Sequence, residues 1–135
     1  MLALAVGLSA CQHEPPEQAL RRTIAEMQNA GEEHRVSAVM ASVAEDFAGP
    51  DGMDRKQLQR FLTLISLQNR ELGVTLGPME VKMQDSRATV AFTLAGSGGS
   101  GGWLPERGQI YDVETGWRLE GDEWRLISAN WKEEL

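Results

Sequence analysis

Three kinds of side chain in this sequence could do chemistry. The first is a thiol. Cys11 is the only cysteine of the chain and follows Leu8-Ser9-Ala10 at the end of an almost wholly apolar stretch, Met1–Ala10. Alone, it cannot form an internal disulfide. The second is an acid–base set. Asp46 could accept a proton, and Tyr111 could donate one or hydrogen-bond a developing oxyanion. The third is stacking on the tryptophans. Trp117 and Trp124 fit better as core, whereas Trp103 and Trp131 are the two expected at the surface. The histidines add little: His13 falls in a polar, proline-rich stretch, and His34 is off the apolar stripe of its segment and is expected in solvent. For Asp46 a solvated helix end is the better reading, and Tyr111 reads equally as an amphipathic rim residue. No His/Cys/carboxylate cluster has zinc spacing, and no Ser-His-acid set is apparent. The run Gly96–Trp103 lacks the Gly-Lys-Ser/Thr ending of a phosphate loop. No metal and no cofactor is implied.

At 135 residues the chain is expected to be one domain that buries about two-thirds of its unfolded surface, enough for a core of its own. Its formal net charge is −7, with no basic stripe to neutralise phosphates, so a nucleic-acid partner is excluded. The same net charge gives no attraction to an anionic lipid surface, so attachment to a membrane would have to come from something other than charge.

Met1–Ala10 is too short to span a bilayer, which takes roughly 20 residues. It reads as the apolar region of a secretory signal without a preceding Lys or Arg, so the natural start could lie upstream of Met1. Leu8-Ser9-Ala10-Cys11 resembles the bacterial lipobox. The resemblance implies residues 1–10 as signal peptide, cleavage before Cys11, and diacylglycerol and acyl chains on Cys11, each buried CH₂ contributing about 0.8 kcal/mol to anchoring. Residues 11–16 would be the lipidated cysteine and tether, and 17–135 the folded domain. With Gln12 rather than Asp after the cysteine, the family rule implies the outer membrane of a Gram-negative cell, facing the periplasm.

The elements follow from periodicity. Pro16-Glu17 suits a helix start, with Leu20, Ile24 and Met27 on one face and Gly31 as C-cap. Val36, Val39, Met40, Val43 and Phe47 mark a second helix, broken at Ala48–Gly52. Asp54 and Gln57 form a capping box for a third, with Leu58, Phe61, Leu62, Ile65 and Leu72 on its face and Gly73 at its end. The period then becomes two. Strands are expected over Val74–Met83, kinked at Gly77-Pro78, and over Ala88–Ala95. A glycine-serine loop, Gly96–Gly102, follows, and then Gln109–Leu119 and Glu123–Lys132 joined at Gly121-Asp122.

A regular hairpin about that turn pairs Leu119 with Trp124, Trp117 with Leu126, Thr115 with Ser128, Val113 with Asn130 and Tyr111 with Lys132. Its inward face would be apolar near the turn and polar beyond it. The outward face would carry Asp112, Glu114, Arg118, Glu120 and Arg125 around an apolar spot at Ile127 and Trp131. The polar end of the inward face reads as a rim of satisfied groups or as a small-ligand pocket.

Three helices followed by an antiparallel sheet is an α+β order. The segments Val39–Phe47, Met53–Leu62 and Tyr111–Trp131, with the hairpin last, make residues 17–133 resemble the nuclear-transport-factor-2-like superfamily (SnoaL-like, cystatin-like cone). The resemblance implies three helices packed in the concavity of a bent, four-stranded, mainly antiparallel sheet. Its enzymes place an Asp or His base, often with a Tyr, inside the cone, which points to Asp46 and Tyr111. The candidate pocket is then Phe47, Tyr111, Thr115, Trp117, Ser128 and Asn130. The superfamily spans isomerases, dehydratases, hydrolases and assembly modules, so fold does not choose a function. The reading is a lipid-anchored, non-enzymatic binding domain. It would meet a protein partner or a second copy through Ile127 and Trp131, since charge mixed with an apolar spot is how interfaces are built. The alternative is small-molecule binding or acid–base catalysis of isomerase or dehydratase type in the cone.

Overall fold

The computed structural model describes residues 14–98 and 109–134. The signal and lipobox residues, Cys11, His13, Trp103 and most of the glycine-serine loop lie outside the described residues. Pro16 opens α1 (Pro16–Glu32), where its missing N–H costs nothing. Leu20 and Ile24 are buried, and Arg21–Glu17 and Arg22–Glu26 pairs line the solvent side. The helix runs through Gly31 rather than ending there. The left-handed position falls to His34, φ 61°, because a short second helix, α2 (Val36–Met40), starts just beyond it.

The expected long second helix divides: after α2 the chain extends into β1 (Val43–Ala48). Val43 and Phe47, four apart, share a face in either conformation, so their spacing cannot separate the two. Tertiary context decides. β1 lies parallel to the last strand, pairing Val43 with Leu126 and Ala48 with Ser128 across an irregularity, which completes one edge of the sheet. α3 (Arg55–Gln68) starts with the full capping box: Gln57 N–H donates to Asp54 Oδ1 at 2.8 Å, and Asp54 N–H to Gln57 Oε1 at 2.9 Å. It ends earlier than the apolar spacing predicts. Buried Asn69 donates to the Ile65 carbonyl at 2.8 Å, and Leu72 opens a strand.

The other strands are β2 (Leu72–Leu76), β3 (Glu80–Gln84), β4 (Arg87–Gly98), β5 (Gln109–Glu120) and β6 (Glu123–Glu133). Their order is β1-β6-β5-β4-β2, with β3 also on β4. The sheet thus has six strands rather than four. β1 is the strand read as helix, and Gly77-Pro78 splits one expected edge strand into β2 and β3. β4 pairs β3 with one half and β2 with the other. The edge of β2 is covered by α1: Gln28 Nε2–H donates to the Val74 carbonyl at 2.7 Å, and Glu32 Oε2 accepts the Val74 N–H at 3.1 Å.

The helices cover one face of the sheet. Leu20, Ile24, Met40, Phe47 and Leu58 meet Val90, Trp117, Trp124 and Leu126 there. Trp124 and Leu20 are fully buried, and Trp124 Nε1–H donates to the Pro16 carbonyl at 3.0 Å, tying the hairpin to the first turn of α1.

The hairpin register follows the turn only as far as Trp117↔Leu126. There β6 inserts one extra residue, Ile127, and the pairing resumes as Gly116↔Ser128, Thr115↔Ala129, Glu114↔Asn130, Val113↔Trp131, Asp112↔Lys132 and Tyr111↔Glu133. A one-residue insertion reverses every side chain beyond it. Trp131 therefore faces inward, stacked on Phe61 of α3 with ring centroids 5.8 Å apart, and does not join Ile127 on the outer face. Ser128, Asn130 and Lys132 turn outward. Gly116 allows the bulge, since a Cβ there would lie 2.4 Å from Ser128 Oγ. Trp131→Ala should therefore cost about 2–3 kcal/mol in urea unfolding, at the low end for a large aromatic because the ring is only half-buried, while Asn130→Ala should stay within about 0.5 kcal/mol. A regular hairpin predicts the reverse order.

Candidate functional site

The inner face uses its polar groups on itself. Thr115 Oγ1–H donates to the Val90 carbonyl at 2.8 Å and accepts Trp117 Nε1–H at 2.8 Å. Both residues are buried, with Phe47 in the same core. Among the described residues, every buried side-chain nitrogen and oxygen has a partner. Of the six residues expected to line a pocket, Phe47, Tyr111, Thr115 and Trp117 share the inner face, while the bulge carries Ser128 and Asn130 to the other.

Asp46 also points outward. Arg118 reaches it with both terminal nitrogens, each 2.9 Å from a carboxylate oxygen, and contacts Glu120 at 2.6 Å. These charge-assisted bonds hold the Asp46 carboxyl below the usual aspartate range and raise the Arg118 guanidinium above its own. An acid tied in this way on the outside is a poor base for chemistry in the cone. Arg125 pairs with Glu123 on the same face.

Tyr111 sits at the open end of the inner face, opposite Glu133. Partial burial, and then the Glu133 charge, push its phenol up. It stays neutral at physiological pH, a form that can donate a hydrogen bond. His34 is half-buried instead of solvated. Its Nε2 lies 2.9 Å from the Arg70 carbonyl, which can only accept, so in the neutral ring Nδ1 accepts the Ser66 hydroxyl at 2.7 Å. The ring pins the α1–α2 corner to the end of α3. No group of three His, Cys, Asp or Glu that could hold a metal occurs among the described residues.

An open hollow lies across the outer face of β3, β4, β5 and β6. It is a depression of about 560 Å³ crossed by two rows of paired residues: Glu80, Ala91, Glu114 and Asn130, then Thr93, Asp112 and Lys132. Three acids face one lysine there. Asp112 and Glu114 are legible as outward residues in the hairpin pattern. Lys132 and Asn130 are not, because their side depends on the bulge, whose one local signal is Gly116 inside a strand.

No protein-family model matches the chain, and no curated protein matches it in sequence. Solved structures do. Bd1075 of Bdellovibrio bacteriovorus aligns over 87% of this chain with TM-score 0.76 and 14% identity, and the chain spans only 40% of that protein's length. An NTF2-like protein of unknown function from Pseudomonas putida aligns over 84% of this chain and 82% of its own, with TM-score 0.71 and 15% identity. A candidate dehydratase of the NTF2-like family from Streptomyces avermitilis aligns over 89% and 97%, with TM-score 0.74 and 15% identity. The fold is therefore the α+β cone of NTF2-like and cystatin-like proteins.

Two titrations check the site. Tyr111 is the only tyrosine, so its ultraviolet ionisation signal should have a midpoint above about 10, the value for a free phenol. For Asp46, a lowered folded pKa means stability that is present above the unfolded pKa and lost as pH falls through the folded one. The stability gap between wild type and Asp46→Asn should therefore close between about pH 5 and pH 2. A gap independent of pH would mean that the Arg118 contact does not form.

Proposed function

We propose that this chain is a lipoprotein held at a bacterial membrane through Cys11, in the reading the lipobox implies the outer membrane on its periplasmic side, and that its cone domain works as an interaction module. The observation that carries the second part is the division of polar groups between the two faces. Inside, Thr115 and Trp117 bond each other and the backbone. Outside, Glu80, Asp112, Glu114, Asn130 and Lys132 line an open depression. Small-molecule sites are enclosed and mostly apolar, whereas an open, charged depression suits a protein surface that presents basic groups to the acids and an acceptor to Lys132. Ile127, half-buried beside Gly116, contributes apolar contact at its edge, and a second copy of this chain is one such partner.

A second reading, acid–base chemistry at the open end of the cone, is favoured by the bulge, which sets Glu133 opposite Tyr111. It requires Tyr111→Phe to abolish turnover of a small substrate.

Intact mass of the membrane fraction tests the anchor. A diacylglyceryl and acyl increment on a chain beginning at Cys11, absent from Cys11→Ser, is the expected result, and an unmodified thiol would end the anchoring proposal. A photo-crosslinking residue at position 130 should give a protein adduct in membranes, while the same probe at Gln18, exposed on α1, should not. Equal labelling from both positions would remove the outer face as the interaction site.

A further inference from the structure

We infer that the outward face of α3 is a contact surface for an anionic lipid bilayer. α3 is anchored by one side only. Leu58 is its single buried residue, while Phe61 is 38%, Leu64 53% and Leu67 79% exposed. At about 100° per residue, Lys56, Arg60, Thr63, Leu64 and Leu67 fall on one face, opposite Leu58 and Leu62, and all five are exposed. Large apolar side chains and basic ones thus share the solvent side.

The charge distribution says what covers that face. Arg55 through Arg70 holds four of the chain's 13 basic residues and none of its 20 acidic ones. Arg55 is spent on the carbonyls of Met40 and Val43, at 2.8 and 3.2 Å, so Lys56, Arg60 and Arg70 are the outward cations. Asp54 and Glu71 flank the segment in sequence, just outside it. The net charge of −7 therefore hides a local basic patch, and the repulsion expected from net charge does not hold for this face. Leu64 and Leu67 stand out from the domain on the same side as Lys56 and Arg60. A fluid headgroup layer closes around a ridge, with leucines entering the acyl boundary and Lys and Arg stems reaching the phosphates. The acidic remainder of the surface, repelled by the same bilayer, orients the domain with α3 down.

This contact is independent of the covalent anchor and is tested without it. The full chain carrying Cys11→Ser is sedimented with vesicles of phosphatidylethanolamine and phosphatidylglycerol, and separately with phosphatidylcholine. Binding should be tighter to the anionic vesicles and should weaken as salt is raised. Lys56→Gln with Arg60→Gln should lower partitioning roughly thirtyfold, since each basic residue near such a surface contributes about a fivefold factor. Leu64→Glu with Leu67→Glu should lower it at least as far, with near-UV circular dichroism unchanged. Residues 1–10 are common to all variants and cancel. Equal binding by wild type and both double variants would overturn the inference. So would absent or salt-insensitive binding, or a wild type that ignores vesicles but loses self-association on Leu64→Glu/Leu67→Glu, which would assign the ridge to a protein contact. Lipidation of Cys11, read by mass, can fail or hold whichever result appears.

Discussion

One extra residue in β6 decides which groups this protein hides and which it shows. Ile127 has no partner of its own across the hairpin, and beyond it each side chain points opposite to where an unbroken ladder would send it. The inward half of β6 gains Trp131, which stacks on Phe61 and so fastens a weakly buried α3 to the sheet. The outward half gains Asn130 and Lys132, which complete the depression. Without the bulge the cone would have a polar mouth and an aromatic exterior. With it, the exterior is charged and the mouth is apolar apart from Tyr111 and Glu133.

Much of this architecture is legible in the sequence, and the unreadable parts share a cause. The capping box of α3, the proline at the start of α1, the turn at Gly121-Asp122 and the kink at Gly77-Pro78 are local devices, complete within a few residues, and each is found where its signal lies. β1 is different. Val43, Ala44 and Phe47 carry no local cue that separates strand from helix, and only parallel pairing to a strand some 80 residues away in sequence settles it. The register error has the same character. A turn fixes pairing near itself, and a bulge half a strand away undoes it. Gly116 was the available hint, a residue without Cβ at the one place where Ser128 crowds the backbone. Of the candidate site, the inward residues of β5 were readable from alternation, but the partners on β6 were not.

The placement of charge is the second organising fact. Asp46, Arg118 and Glu120 form a connected set on the outer face, and Arg125 is paired beside them. Exposed pairs of this kind contribute little each to stability. Their effect here is to neutralise much of the outer face near the hairpin turn, which leaves Glu80, Asp112 and Glu114 as the acids of the depression farther along the strands. Inside, the Thr115–Trp117 pair removes the need for water in the core. The fold thus pairs its buried polar groups inside and spreads its charges over the outside.

The two side chains that α1 lends to β2 bear on what happens when copies of this chain crowd together. Gln28 and Glu32 occupy the amide and carbonyl of Val74 that a neighbouring strand would seek. Molecules confined to a plane meet far more often than the same molecules in bulk, and a bare ladder edge would let such encounters grow into ribbons. A helix that answers this edge from within the same chain takes Val74 away from a crowded neighbour's strand, so on the β2 side copies can come close without their sheets joining.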